Sequence, residues 1–143
     1  MKPFVTVCLI GLASALLLVG ALSGTLVRHL VQILPILLVL ALLHRRPSWG
    51  AYAALSIFIF WTGIVILIWL FLLGFSRVAN GQYTAPEIVL TFVMAGCSIS
   101  GVLRSVPLGR TVPVLGRIAV FILFAVLQVA AMWASSLRPI ANR

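Results

Sequence analysis

Apolar residues in this chain come in long unbroken runs, not at alternate positions and not as a one-sided helical stripe. The runs cover about 4–22, 25–43, 49–75, 86–103 and 112–134, and the short stretches between them carry most of the charge. At 1.5 Å per residue, each run can cross roughly 30 Å of hydrocarbon. In hydrocarbon every backbone N–H and C=O must be satisfied within its own segment, which selects helices, and the alternation of a membrane barrel strand is missing. The pattern predicts an all-α integral membrane protein, with residues 1–143 forming one transmembrane domain, a polytopic bundle of five helices.

The polar punctuation refines this. Ser23-Gly24-Thr25 reads as a tight turn. The second run has Arg28 and His29 in its opening turn and Pro35 in its middle, where a proline kinks the helix or opens a gap that a neighbour must fill. His44-Arg45-Arg46-Pro47 ends that helix, with cations at its negative pole and a proline against continuation. Trp49 and Tyr52 form an aromatic belt at the start of the longest run, which must tilt or protrude. The stretch 76–85 is the most polar loop. In "RSVPLGRTVPVLGR", residues 104–117, two Pro-Gly-Arg units predict a turn on the membrane surface, with Thr111 capping the fifth helix, Pro113 in its first turn and Arg117 reaching back to the interface. Met1-Lys2, the first run and Val19-Gly20-Ala21 also fit a signal peptide, whose removal would leave four helices. The length of the run and its single Lys favour a retained helix.

Composition excludes a soluble domain. Hydrophobic residues make up 64% and charged residues 8%, with a mean hydropathy of +1.29, whereas soluble domains are roughly a quarter charged. The net charge of +9 comes from ten Lys and Arg against one acid. These cations are scattered at the ends of apolar runs, as interfacial anchors are, and no basic stripe with interleaved aromatics offers a nucleic-acid groove. Arg45, Arg46, Arg104, Arg110 and Arg117 are expected at anionic lipid headgroups, since the guanidinium fork matches phosphate oxygens; an acidic partner docking on 104–117 is the alternative. Lys2, Arg45, Arg46, Arg104, Arg110 and Arg117 fall on one side and Arg28, Arg77, Arg138 and Arg143 on the other. This six-to-four bias puts the N-terminus in the cytoplasm and the C-terminus outside. Size and architecture suit a bacterial inner membrane.

The only acid is Glu87. Thr84-Ala85-Pro86-Glu87 fits a capping box, in which the threonine oxygen takes a helix N–H and the glutamate returns to the threonine N–H. The competing readings are a carboxylate that couples ion movement and an exposed pairing with Arg77. His29 and His44 lie fifteen residues apart, about 22 Å along one helix, too far to share an iron. Cys8 and Cys97 sit inside apolar runs and form no disulfide framework or metal motif. Without a Ser-His-Asp, Cys-His or paired-carboxylate set, no catalysis, cofactor or metal is expected.

Small residues recur at helical spacing: Gly11 with Ala15 and Gly20 with Gly24 on the first helix, Gly96 with Ser100 and Cys97 with Gly101 on the fourth, Ala130 with Ala134 on the fifth. Such pairs let helix backbones meet closely. Gln32, Thr62, Thr91, Ser98, Ser100 and Gln128 either bond between helices or line a path. The expected function is an accessory, assembly or interaction subunit that works by helix packing, as a homo-oligomer or with a larger membrane protein. The alternative is a small oligomeric transporter or channel for an ion or small solute.

Overall fold

The computed structural model describes residues 2–75 and 83–137. Its helices are α1 (Lys2–Leu22), α2 (Leu26–Arg45), α3 (Pro47–Leu72), α4 (Ala85–Leu108) and α5 (Val114–Ser135). Among the described residues there is no strand, and all five helices are long and apolar enough to cross a membrane.

The expected spans shift at their ends, for local reasons. Only Arg46 separates α2 from α3. Its N–H donates to the Leu42 carbonyl at 2.7 Å, closing α2, and its carbonyl accepts the Gly50 N–H at 2.9 Å, opening α3. Pro47 ends one helix and begins the next, because at the first helical position its missing N–H has no partner to lose. α4 runs on to Leu108, so Arg104–Leu108 form its last turn, not a surface loop. Pro107 removes just one donor, and the turn is held on both sides of it: Gly109 N–H reaches the Ser105 carbonyl at 3.1 Å, and Gly109 is pressed against the Tyr52 ring.

Thr111 does not cap α5. Its hydroxyl donates to Ser48 Oγ at 2.8 Å, tying the α4–α5 connection to the start of α3, and α5 opens on Pro113 with no side-chain cap. Arg117 secures the connection from inside the helix by donating to its carbonyls, without capping the helix N–H groups. Its Nε donates to the Val112 carbonyl at 2.6 Å and its Nη2 to the Arg110 carbonyl at 2.5 Å, while the guanidinium lies 5.6 Å above the Tyr52 ring.

Successive helices run in opposite directions. α1 packs between α2 and α4, α3 packs broadly on α4, and α5 lies in the groove between α2 and α3. The core is aliphatic and aromatic: Leu9, Leu12 and Leu16 of α1, Ile36 and Val39 of α2, Ile57, Phe58 and Trp61 of α3, and Met94 of α4. α5 contributes a narrow stripe, Phe124, Gln128 and Ser135, and turns large apolar side chains outward, with Leu115 79% exposed. Water-soluble monomers do not carry so continuous an apolar surface.

Candidate functional site

Three places gather the polar chemistry of the described residues. The first lies between α2 and α5. Buried Gln32 donates through Nε2 to Ser135 Oγ at 2.9 Å and to Met132 Sδ at 3.2 Å, and the Ser135 hydroxyl passes its own proton to the Met132 carbonyl at 2.7 Å. Gln128 Nε2 donates to the Gln32 backbone carbonyl at 3.3 Å. Pro35 takes the helical donor away from the Val31 carbonyl, four residues back. The Gln32 carbonyl, one residue further on, receives Gln128 from 96 residues away. Both glutamines are visible in the sequence as polar residues within spans, but nothing local joins them.

Other polar groups in the helices divide in two. Thr62 bonds back to the Phe58 carbonyl at 2.8 Å, and Trp69 Nε1 donates to Thr91 Oγ1 at 3.0 Å. Ser56, Ser98 and Ser105 Oγ, Trp61 Nε1 and Gln128 Oε1 are buried without a partner. None of them is charged or paired as nucleophile and base.

The second place is the start of α4. Thr84 N–H and the Thr84 hydroxyl both donate to Glu87 Oε2, at 2.7 and 2.8 Å, and Thr84 also meets the backbone of the third helical residue, completing a capping box. Glu87 is only 6% exposed, so it is a buried carboxylate at the positive pole of a helix. Arg77, its partner in the alternative pairing, lies outside the described residues. Burial first and the Glu87 charge second push the Tyr83 phenol above its usual range, and Arg28 opposes them. His29 is seated nearby against Gly20 of α1, where a methyl built on the glycine would stand 2.9 Å from the imidazole. Its Nδ1 faces the Thr25 carbonyl at 3.0 Å.

The cap makes a direct prediction. Thr84→Ala removes a donor to Glu87 and the oxygen that faces the helix N–H groups, and thermal unfolding should show a loss of about 1 kcal/mol. Glu87→Gln keeps a carbonyl oxygen for the Thr84 N–H and should cost less. A larger loss for Glu87→Gln in a folded, abundant protein would mean that the charge has a role beyond the cap.

The third place is the opposite end of the bundle. Arg45, Arg46, Arg104 and Arg110 are exposed there and Arg117 is half-buried in its loop. Lys2 Nζ donates to the His44 carbonyl at 3.2 Å, and Arg104 Cζ stands 5.6 Å above the Phe4 ring.

The small residues serve unlike purposes. Gly11 meets Cys97, since a methyl on Gly11 would lie 2.8 Å from its Sγ, and Gly101 accepts the Phe58 ring. Ala15 is buried in the core and Ser100 half-buried. Gly24 is not a packing residue: it lies beyond α1 in the turn, at φ 68°, with open space where a side chain would go. Gly96 faces outward with nothing within 4 Å of a built methyl, and so does Gly63 of α3. Gly63 has no small partner at helical spacing, so the small-residue pattern passes over it.

Among the described residues no group of three or more His, Cys, Asp or Glu is placed to hold a metal. The architecture defines a class, the all-helical proteins with five helices able to span a membrane. No known protein family, curated protein or solved structure matches the chain.

Proposed function

We propose that the chain is a membrane-embedded interaction subunit whose partner, a second copy or a larger membrane protein, seats against the outer face of α3 and α4 at Gly63 and Gly96. The supporting observation is one of elimination. The other described glycines either take a positive φ, as Gly24 and Gly74 do, or are closely approached by this chain's own atoms; Gly63 and Gly96 are neither. A mid-helix glycine costs about 0.5–1 kcal/mol relative to alanine, and what it offers in a bilayer is close approach by another helix. Gly101 faces Phe58 across the antiparallel α3–α4 pair, and five residues on along α3 and five back along α4 bring Gly63 and Gly96 to the same depth, each on the exposed side of its own helix.

In mild detergent the wild-type chain should migrate as a complex, and Gly63→Leu with Gly96→Leu should release it by at least tenfold while the helical content and unfolding temperature stay unchanged. A wild-type monomer with no co-purifying partner refutes the reading. The unpartnered Trp61, Gln128, Ser56 and Ser98 groups favour a second reading, a small solute path through the bundle. Saturable flux into liposomes holding the purified chain would replace the first reading by this one.

Under this proposal the chain belongs in a bacterial inner membrane with its N-terminus in the cytoplasm, an orientation supported by the six-to-four cation bias. Single cysteines in a Cys8→Ala/Cys97→Ala background should react with an impermeant reagent from outside at Tyr83→Cys and not at Ser48→Cys. The reverse pattern would invert the orientation.

A further inference from the structure

We propose that the basic end of the bundle carries a site for an anionic phospholipid, best filled by one with two phosphates, formed by Lys2, Arg45, Arg46 and Arg104 around the first turn of α1. The inference rests on the chain spanning a bilayer and is independent of a partner at Gly63 and Gly96.

Folding brings these cations together from three segments. The Lys2 bond to the His44 carbonyl, at 3.2 Å, sets the first turn of α1 against the last turn of α2, directly before exposed Arg45 and Arg46. On the other flank of the same turn, Arg104 of α4 reaches over Phe4. Like charges gathered in this way repel, and nothing nearby among the described residues neutralises them. The chain's only acid, Glu87, stands at the far end of α4, a helix about 36 Å long. An anion that bridges the cations relieves the repulsion, and guanidinium forks fit phosphate oxygens.

The surface below the charges selects among anions. Phe4, Val7 and Leu103, at 44%, 65% and 68% exposure, lie along α1 and α4 from the level of Arg104 toward the middle of the bundle. A lipid can lay its acyl chains there while its phosphates reach the cations, whereas a free phosphate or an acidic peptide leaves that surface unused. The cations lie on two flanks of α1, with Lys2, Arg45 and Arg46 on one and Arg104 on the other, so two linked phosphates engage more of them than one does. Basic sites between membrane helices bind headgroups of this kind. Arg117 is excluded, because its guanidinium is committed to the Val112 and Arg110 carbonyls and the Tyr52 ring.

The test is native mass spectrometry of the full chain exposed to equal amounts of cardiolipin and phosphatidylcholine. Wild type should retain cardiolipin at least tenfold over phosphatidylcholine. Since each cation at an anionic surface contributes about fivefold, R45Q/R46Q/R104Q should lose at least tenfold of that preference, and R28Q, at the opposite end, should keep it. Equal retention of the two lipids, an unchanged preference in the triple variant, or an equal loss in R28Q would overturn the site. So would full displacement by millimolar pyrophosphate or an acidic peptide, which would mean that the acyl chains contribute nothing. The membrane reading fails separately, as a chain that does not enter the membrane fraction, and unfolding temperatures confirm that each variant compared is folded.

Discussion

Gly50→Ala should destabilise the protein by about 3 kcal/mol, the largest effect of any single added methyl. A methyl on Gly50 would stand inside contact distance of the Leu43 Cα and backbone N. Backbone cannot rotate aside as a side chain can, so α2 and α3 would have to separate. They are joined by Arg46 alone and cross directly after it, which leaves no connection long enough to absorb the shift. The measurement is the unfolding midpoint in mixed micelles, with Gly63→Ala as the matched control. Gly63 has open space, so there alanine should be neutral or stabilise by about 0.5–1 kcal/mol through helix propensity. Equal effects at the two positions would show that the α2–α3 crossing is looser than described.

The second large effect concerns α3 and α4. A methyl on Gly101 collides with the Phe58 ring, and Phe58 is fully buried with no room to retreat. Gly101→Ala should therefore cost about 1–3 kcal/mol by overpacking, and Phe58→Ala about 3–5 kcal/mol by leaving a cavity. The two lesions are opposite in volume and share one place. The double variant should be less destabilised than the sum of the single variants by at least 1 kcal/mol, as residues in direct contact couple. Strict additivity in a thermodynamic cycle would show that Gly101 and Phe58 do not meet.

The capping box was legible because its chemistry is local: threonine, proline and glutamate sit within four residues and act on the backbone between them. The burial of Glu87 was not, because it depends on how the start of α4 sits against the neighbouring helices. Thr111 shows the limit of local reasoning. Its type and position suit a helix cap, yet Ser48, 63 residues away, holds its hydroxyl, and Arg117 secures the connection. The continuation of α4 through Pro107 has the same origin, since the Pro-Gly-Arg repeat marks a turn and packing of Gly109 on Tyr52 keeps the preceding turn helical.

By itself, the sequence determined five apolar helices and the scarcity of chemistry within them, because length and hydropathy are sums over neighbouring residues and need no partner. It also determined that cations outnumber acids ten to one. Tertiary structure alone decided which glycines are filled by this chain and which face outward, that Gln128 reaches the Gln32 carbonyl, and that Lys2 meets the end of α2 while Arg104 reaches over Phe4. Each of these depends on side chains many residues apart meeting across a helix interface, and the small-residue spacing that lets helices approach does not specify which helix will arrive.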